Sequence, residues 1–217
     1  MVGTTDYEET VIDDEIAQAK RSIDLWMTSY YKNRWENQPV YLEVFIEKKA
    51  LQGVFSEVCS SWRVALGACK GYPSLTFLNE TSLRFKEAED LGKRLVILYF
   101  GDYDASGEDI PRSIKENLLR LGVDIEVKRI ALMEHQVKAW KLPHAPTKET
   151  DTRAAKWDGI GQVELDAVPP KQIIKLAEQA ISDHFNHDLY EELKEVETIE
   201  RSQYRKELKE YVNNLKD

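Results

Sequence analysis

Six consecutive apolar residues, Leu95-Val96-Ile97-Leu98-Tyr99-Phe100, run straight into Gly101-Asp102-Tyr103-Asp104-Ala105-Ser106-Gly107. A strand without polar alternation is buried on both faces, as happens in a sheet covered by helices on both sides. The segment after it leaves the carboxyl end of that strand, where α/β sheets place their ligands. Asp102 and Asp104 are two residues apart, so in extended chain they point the same way. A pair of hard oxygen ligands suits Mg²⁺ or Mn²⁺, and a metal there suits phosphate chemistry.

Periodicity on either side of this strand alternates between the two regular types. Ile12, Ile16, Ala19, Ile23, Met27 and Tyr30 recur at helical spacing. They predict a helix over 13–31, capped by Asp13 or Asp14, with residues 1–11 disordered ahead of it. Residues 41–47 read as strand one, with Leu42, Val44 and Ile46 on one face and Tyr41 and Phe45 on the other. Residues 48–61 read as helix, 63–69 as strand two, Lys70-Gly71-Tyr72-Pro73 as a turn, and 74–91 as a helix closed by Gly92. After strand three (95–100), the next helix is expected to begin at Pro111. Residues 125–131 form strand four. Strands alternating with helices predict an α/β fold with a parallel sheet of about four strands, helices on both faces.

Beyond that, Pro143, Pro146, Gly159, Gly161, Pro169 and Pro170 break up 140–170, and helices follow over 171–185 and 189–215. The last carries apolar residues at steps of three to five, an imperfect coiled-coil seam. It can pack back on the domain or pair with a second copy, and its narrow apolar stripe favours a homodimer. The expected organisation is an N-terminal arm (1–40), a main domain (41–185) and a C-terminal helical extension (186–217).

A net charge of −9 counts against nucleic-acid binding by overall charge. A local basic patch, or a bound divalent cation, reverses the field at one site. No apolar run approaches the roughly 18 residues of a membrane helix, and the acidic first ten residues lack the form of a signal peptide. Cys59 and Cys69 have no metal-ligand spacing and read as thiols in a reducing cytosol, hence a cytoplasmic location and no membrane partner.

Four segments fall at strand ends that face one edge of a right-handed parallel sheet. They are Glu47-Lys48-Lys49-Ala50-Leu51, Lys70-Gly71-Tyr72, the Asp102/Asp104 pair, and Glu134. Neighbouring strands lie about 5 Å apart, so Glu47 can share a metal with Asp102 if strands one and three are adjacent. Each residue also has an ordinary reading: Asp102 and Asp104 as helix caps, Lys48 and Lys49 as a solvated pair, Glu134 as a first-turn charge.

Glu47-Lys48-x-Ala50-Leu51 after a strand, Lys70-Gly71-Tyr72-Pro73, and Gly101-Asp102-Tyr103-Asp104-x-Ser106-Gly107-x-Asp109-Ile110 together resemble the Toprim domain. The likeness is to the version in the topoisomerase VI A subunit, its meiotic double-strand-break relatives and related prokaryotic Toprim nucleases, and it covers roughly 41–185. Val163-Glu164-Leu165-Asp166-Ala167-Val168-Pro169-Pro170 is similar to the tail of that group. The resemblance implies a Toprim, Rossmann-like fold. It implies that Glu47 is a general acid/base and shared metal ligand and that Asp102 and Asp104 are the paired ligands of Mg²⁺ or Mn²⁺. Lys48, Lys70 and Ser106 are the implied phosphate contacts; Arg153, in a polar loop with Asp151 and Lys156, reads separately as a substrate contact or a surface ion pair.

The topoisomerase members carry a winged-helix domain with a nucleophilic tyrosine ahead of the Toprim domain. Here residues 1–40, with Tyr7, Tyr30 and Tyr31, precede strand one. The expectation is therefore a hydrolytic nuclease that cuts or nicks DNA with a metal-activated water; RNA remains open as a substrate. Two rivals stand beside it. One is a topoisomerase VI A-like subunit or fragment whose tyrosine lies in another domain or a winged-helix or ATPase partner. The other is a non-catalytic nucleic-acid-binding Toprim module.

Overall fold

A computed structural model describes residues 5–144 and 161–214, with side chains from residue 11 onward. It is an α/β protein with two compact units, Gln38–Asn186 and a helical unit of Met1–Asn37 with His187–Asp217. The larger unit is built on a four-stranded, wholly parallel sheet in the order β2-β1-β3-β4. Its strands are β1 (Val40–Ile46), β2 (Ala65–Ala68), β3 (Arg94–Phe100) and β4 (Glu126–Ala131). Its helices are α2 (Gln52–Trp62), α3 (Leu75–Asp90), α4 (Ala105–Arg120), α5 (Glu134–Trp140) and α6 (Pro170–Ser182). This is compatible with a Rossmann-like arrangement.

The apolar run of β3 is buried on both faces because β3 is an interior strand. Phe45, Leu95, Ile97 and Tyr99 join Leu78 and Phe85 of α3 and Ile110, Ile114 and Leu118 of α4 in one core layer. On the opposite face Phe55 of α2 meets Phe100, with ring centroids 4.8 Å apart, and α2 packs against α6. Where the chain enters and leaves this unit, Gln38 and Asn186 exchange a pair of hydrogen bonds (Gln38 Nε2 to the Asn186 carbonyl, 3.0 Å; Asn186 N–H to Gln38 Oε1, 2.7 Å).

A charge is buried inside this apolar frame. Glu43 of β1 is 1% exposed; it takes Nε and Nη2 of Arg84 at 2.7 and 2.9 Å and the Tyr41 hydroxyl at 2.9 Å. A buried carboxylate is tolerable when its oxygens are paired in this way.

In the helical unit α1 (Thr5–Thr28) runs antiparallel to α7 (His187–Asn213). Asp24 accepts from Lys209 at 2.8 Å, and Glu200 takes the Tyr30 hydroxyl at 2.7 Å. The seam of α7 is thus partly taken by α1, while Ile199 and Tyr211 stay exposed. Tyr30 is committed to Glu200, whose hydrogen bond helps push the phenol up to about 12. No helix among the described residues is long and apolar enough to cross a membrane.

Three differences from the sequence reading bear on the fold. The first helix starts at Thr5, so residues 5–11 are helical where disorder was expected. Strand two is shorter than 63–69, because Arg63 ends α2 in the left-handed region (φ 56°). Most consequentially, α4 begins at Ala105 instead of Pro111: the Asp104 side chain caps it by accepting the Gly107 N–H at 2.7 Å, and Pro111 lies inside the helix. A satisfied N-cap outweighs the one ladder bond that the proline removes.

Arg84→Met strips the counter-charge from Glu43. It should cost about 2–3 kcal/mol in urea unfolding, below the value for a fully buried pair because Arg84 itself is partly solvated. A double variant that also carries Glu43→Met should recover most of that loss.

Candidate metal centre

The parallel register of β1 and β3 builds the site. Val44 pairs with Leu98, Phe45 with Tyr99 and Ile46 with Phe100. Continuing one step, Glu47 donates its N–H to the Phe100 carbonyl at 2.9 Å and lies beside Gly101. Glu47 has the same parity as Phe45, so its side chain leaves on the face shared with Tyr99. Glu47 Oε2 accepts two hydrogen bonds, from the Tyr99 hydroxyl at 2.9 Å and from the Asp102 N–H at 3.0 Å. Adjacency of strands one and three, on which a shared site depends, is therefore met.

Two glycines permit the close approach. A Cβ at Gly101 would stand 2.4 Å from the Tyr99 hydroxyl and 2.6 Å from Glu47 Oε2. A Cβ at Gly107 would stand 2.1 Å from the Asp102 carbonyl oxygen. Neither glycine has positive φ, so each is required for space alone.

The segment 161–168 straps across the carboxylates. Tyr103, which separates the two aspartates, is buried and pairs as an antiparallel bridge with Val163. The Leu165 N–H donates to Asp102 Oδ1 at 2.7 Å. Glu164 and Asp166 both hold the Lys48 ammonium, Glu164 at 2.7 Å. Burial by itself lowers that ammonium, but Asp166 and Glu164 push it up to about 12. From below, Arg129 of β4 donates Nη2 to the Asp102 carbonyl at 2.7 Å and lies 3.6 Å from Glu108. Burial pulls the Arg129 guanidinium down, opposed by Glu108, Tyr99, Glu47 and Asp104, and its Nε is buried without a partner among the described residues.

Burial also governs the carboxylates. It raises Glu47 above the usual carboxylate range; repulsion from Asp102 and Asp104 adds to this, while the Asp102 N–H and the Tyr99 hydroxyl oppose it. Burial raises Asp102 too, opposed by the Leu165 N–H and reinforced by Asp104. Each of the three carboxylates has one oxygen held by the protein, and its second oxygen accepts no hydrogen bond from the described residues.

Among the described residues, no three Asp, Glu, His or Cys side chains are already gathered as metal ligands. The residues present nevertheless fit Mg²⁺ or Mn²⁺ in their chemistry. Their donors are all carboxylate oxygens, and Mg²⁺ commonly binds through one or two carboxylates, with water and substrate phosphate completing its shell. Half-buried like charges with raised pKa values are also what a bound cation relieves.

The other expected contacts are placed unevenly. Ser106 is the second residue of α4. The Asp104 cap consumes the Gly107 N–H, leaving those of Ala105 and Ser106 at a positive helix end of the kind that accepts phosphate. Lys70 is exposed at the end of β2, with no side-chain partner among the described residues. Lys48 is near the site but neutralised by the strap, not a free cation. Glu134 opens α5 and is ion-paired with Lys138. Arg153 lies outside the described residues. Cys59 and Cys69 are buried free thiols.

Sequence reasoning missed Tyr99 and Arg129, and it singled out residues 163–170 without placing them at the carboxylates. Arg129 had left a signal: it shares strand parity with Ile125 and Val127, so it interrupts an inward-facing apolar row.

No protein-family model, curated protein or solved structure matches this chain, and the functional reading rests on the site itself.

Gly101→Ala should lose about 1–3 kcal/mol of stability through overpacking. Gly53→Ala is the control: nothing lies within 4 Å of a Cβ there, and the change should be neutral or stabilising in helix α2. A second prediction follows from the raised carboxyl of Glu47. The folded chain binds that proton more tightly than the unfolded chain, so its stability contribution falls as pH rises from the unfolded carboxylate range through the higher folded value. In chelator-treated protein, Glu47→Gln should melt above the wild type at pH 8. The gap should close as pH drops below about 4, where Glu47 is protonated in both states.

Proposed function

We propose that this chain is a Toprim-type nuclease that hydrolyses DNA phosphodiester bonds with Mg²⁺ or Mn²⁺, held by Glu47, Asp102 and Asp104. The observation that carries this reading is the convergence of Glu47 and Asp102, 55 residues apart in sequence, at adjacent strand ends, with Glu47 Oε2 on the Asp102 N–H. Asp104 caps the helix that begins beside them. A cation bound there supplies charge neutralisation at the scissile phosphate and acidifies a water ligand.

The protein's own groups have separate tasks. Glu47 keeps one oxygen fixed and one free, and burial raises its carboxyl above the usual carboxylate range, the direction that favours a group which accepts and returns a proton. The N–H groups of Ala105 and Ser106 orient a phosphate oxygen at the start of α4. Lys70 offers an exposed positive charge at the neighbouring strand end. Arg129 holds the Asp102 backbone from behind and offsets part of the carboxylate charge. Together these supply the local positive field that a chain of net charge −9 otherwise lacks.

Supercoiled plasmid with Mg²⁺ or Mn²⁺ tests the reading. Nicking or linearisation should occur with metal and stop with EDTA. Glu47→Gln and Asp102→Asn should each reduce it by at least about 100-fold, while circular dichroism and melting show folded protein. Cleavage that survives either substitution overturns the assignment. End-labelled products that stay attached to protein would move the reading to a tyrosine-linked reaction.

A further inference from the structure

Tyr99 is the one residue of the β3 run whose side chain does more than fill space. It is fully buried, in register with Phe45, and flanked by Phe100. Packing alone is served equally well by phenylalanine, which occupies the neighbouring position and the facing one. The phenol adds a single feature, an O–H, and a buried O–H requires an acceptor. That acceptor is Glu47 Oε2 at 2.9 Å.

We infer that Tyr99 is a positioning residue for Glu47: with the Asp102 N–H it pins Oε2 and so presents Oε1 to the site. A carboxylate with one donor pivots about that donor, and its two oxygens exchange. Two donors from different directions, on one oxygen, break that equivalence. The donors come from separate structures, Tyr99 from within β3 and the Asp102 amide from the loop beyond it, so they fix both the tilt and the depth of the carboxylate. Gly101 between them leaves the space in which all three meet. This rests on the proposed nuclease reading for what Glu47 does, but not for how it is held.

Tyr99→Phe keeps the ring and removes only the hydroxyl. The first readout needs neither metal nor activity: hydrogen exchange of the Asp102 amide, the other donor to Glu47. Exchange there should quicken about tenfold, while the Ile97 and Leu98 amides of the same strand keep their rates and the melting temperature holds. Mn²⁺ affinity, read by electron paramagnetic resonance without DNA, should weaken several-fold. Plasmid cleavage should lose kcat about tenfold with KM for DNA unchanged. If the Asp102 amide keeps its wild-type rate, or all β3 amides quicken together with a fall in melting temperature, Tyr99 is a core residue only and the inference is wrong. If wild-type protein neither binds Mn²⁺ nor cuts DNA, while Asp102 exchange still responds to Tyr99→Phe, the nuclease reading falls and the positioning of Glu47 by Tyr99 stands.

Discussion

The parallel pairing of β1 with β3 is the constraint on which the site depends. Side chains alternate with a period of two, so slipping the register by one residue would turn Glu47 to the other face, away from Tyr99 and the loop after β3. What holds the register is core packing. Phe45 and Tyr99 face α3 and α4; Ile46 and Phe100 face the opposite layer, where Phe55 packs. The apolar run of β3 therefore does two jobs with the same residues: it makes the strand central and it aims the two aspartates past the sheet edge. Two carboxylates 55 residues apart in sequence are thus brought together by strand pairing that core packing holds in register.

Charge is arranged around that edge in an unbalanced way. Glu47 and Asp102 are half-buried like charges, and the nearest protein cations are only partly available to them. Arg129 bonds the Asp102 backbone and not its carboxylate. Lys48, which stands nearest in sequence, is drawn off by Glu164 and Asp166. A site built only for stability would pair these groups, as the same sheet does for Glu43 with Arg84. One β-sheet thus holds a carboxylate satisfied by two guanidinium nitrogens and a phenol, and two others each left with an open oxygen. That contrast is itself an argument that the open ones serve a ligand, since unrelieved repulsion among buried charges persists where function needs it.

Much of the fold was legible because its signals are local. Apolar runs and helical periods gave the four strands and most helices, and the alternation gave a parallel sheet. Strand order was not legible, because pairing depends on packing between distant segments; adjacency of β1 and β3 stood only as a condition. The start of α4 was misplaced because Pro111 is a strong N1 signal, whereas the competing cap at Asp104 is also a candidate ligand, and one residue was serving in two readings. Lys48 looked like a free phosphate contact because its partners, Glu164 and Asp166, lie more than a hundred residues on. Tyr99 was hidden by its own neighbours: inside a run of six apolar residues a tyrosine is counted for its ring, and only the fold shows where the hydroxyl goes.

The strap gives the site its remaining asymmetry. Its backbone engages the loop between the aspartates through the Tyr103–Val163 bridge and the Leu165 N–H, while its acidic side chains engage Lys48. The backbone contacts hold Asp102 Oδ1, leaving Oδ2 to face the site. The side-chain contacts are exposed ion pairs, each worth little in water. A phosphate oxygen arriving beside Lys48 offers the same negative charge, and the exchange of one partner for the other costs little. The strong contacts of the strap thus fix Asp102 and the weak ones leave the lysine exchangeable, a division of labour that would serve the proposed phosphodiester substrate.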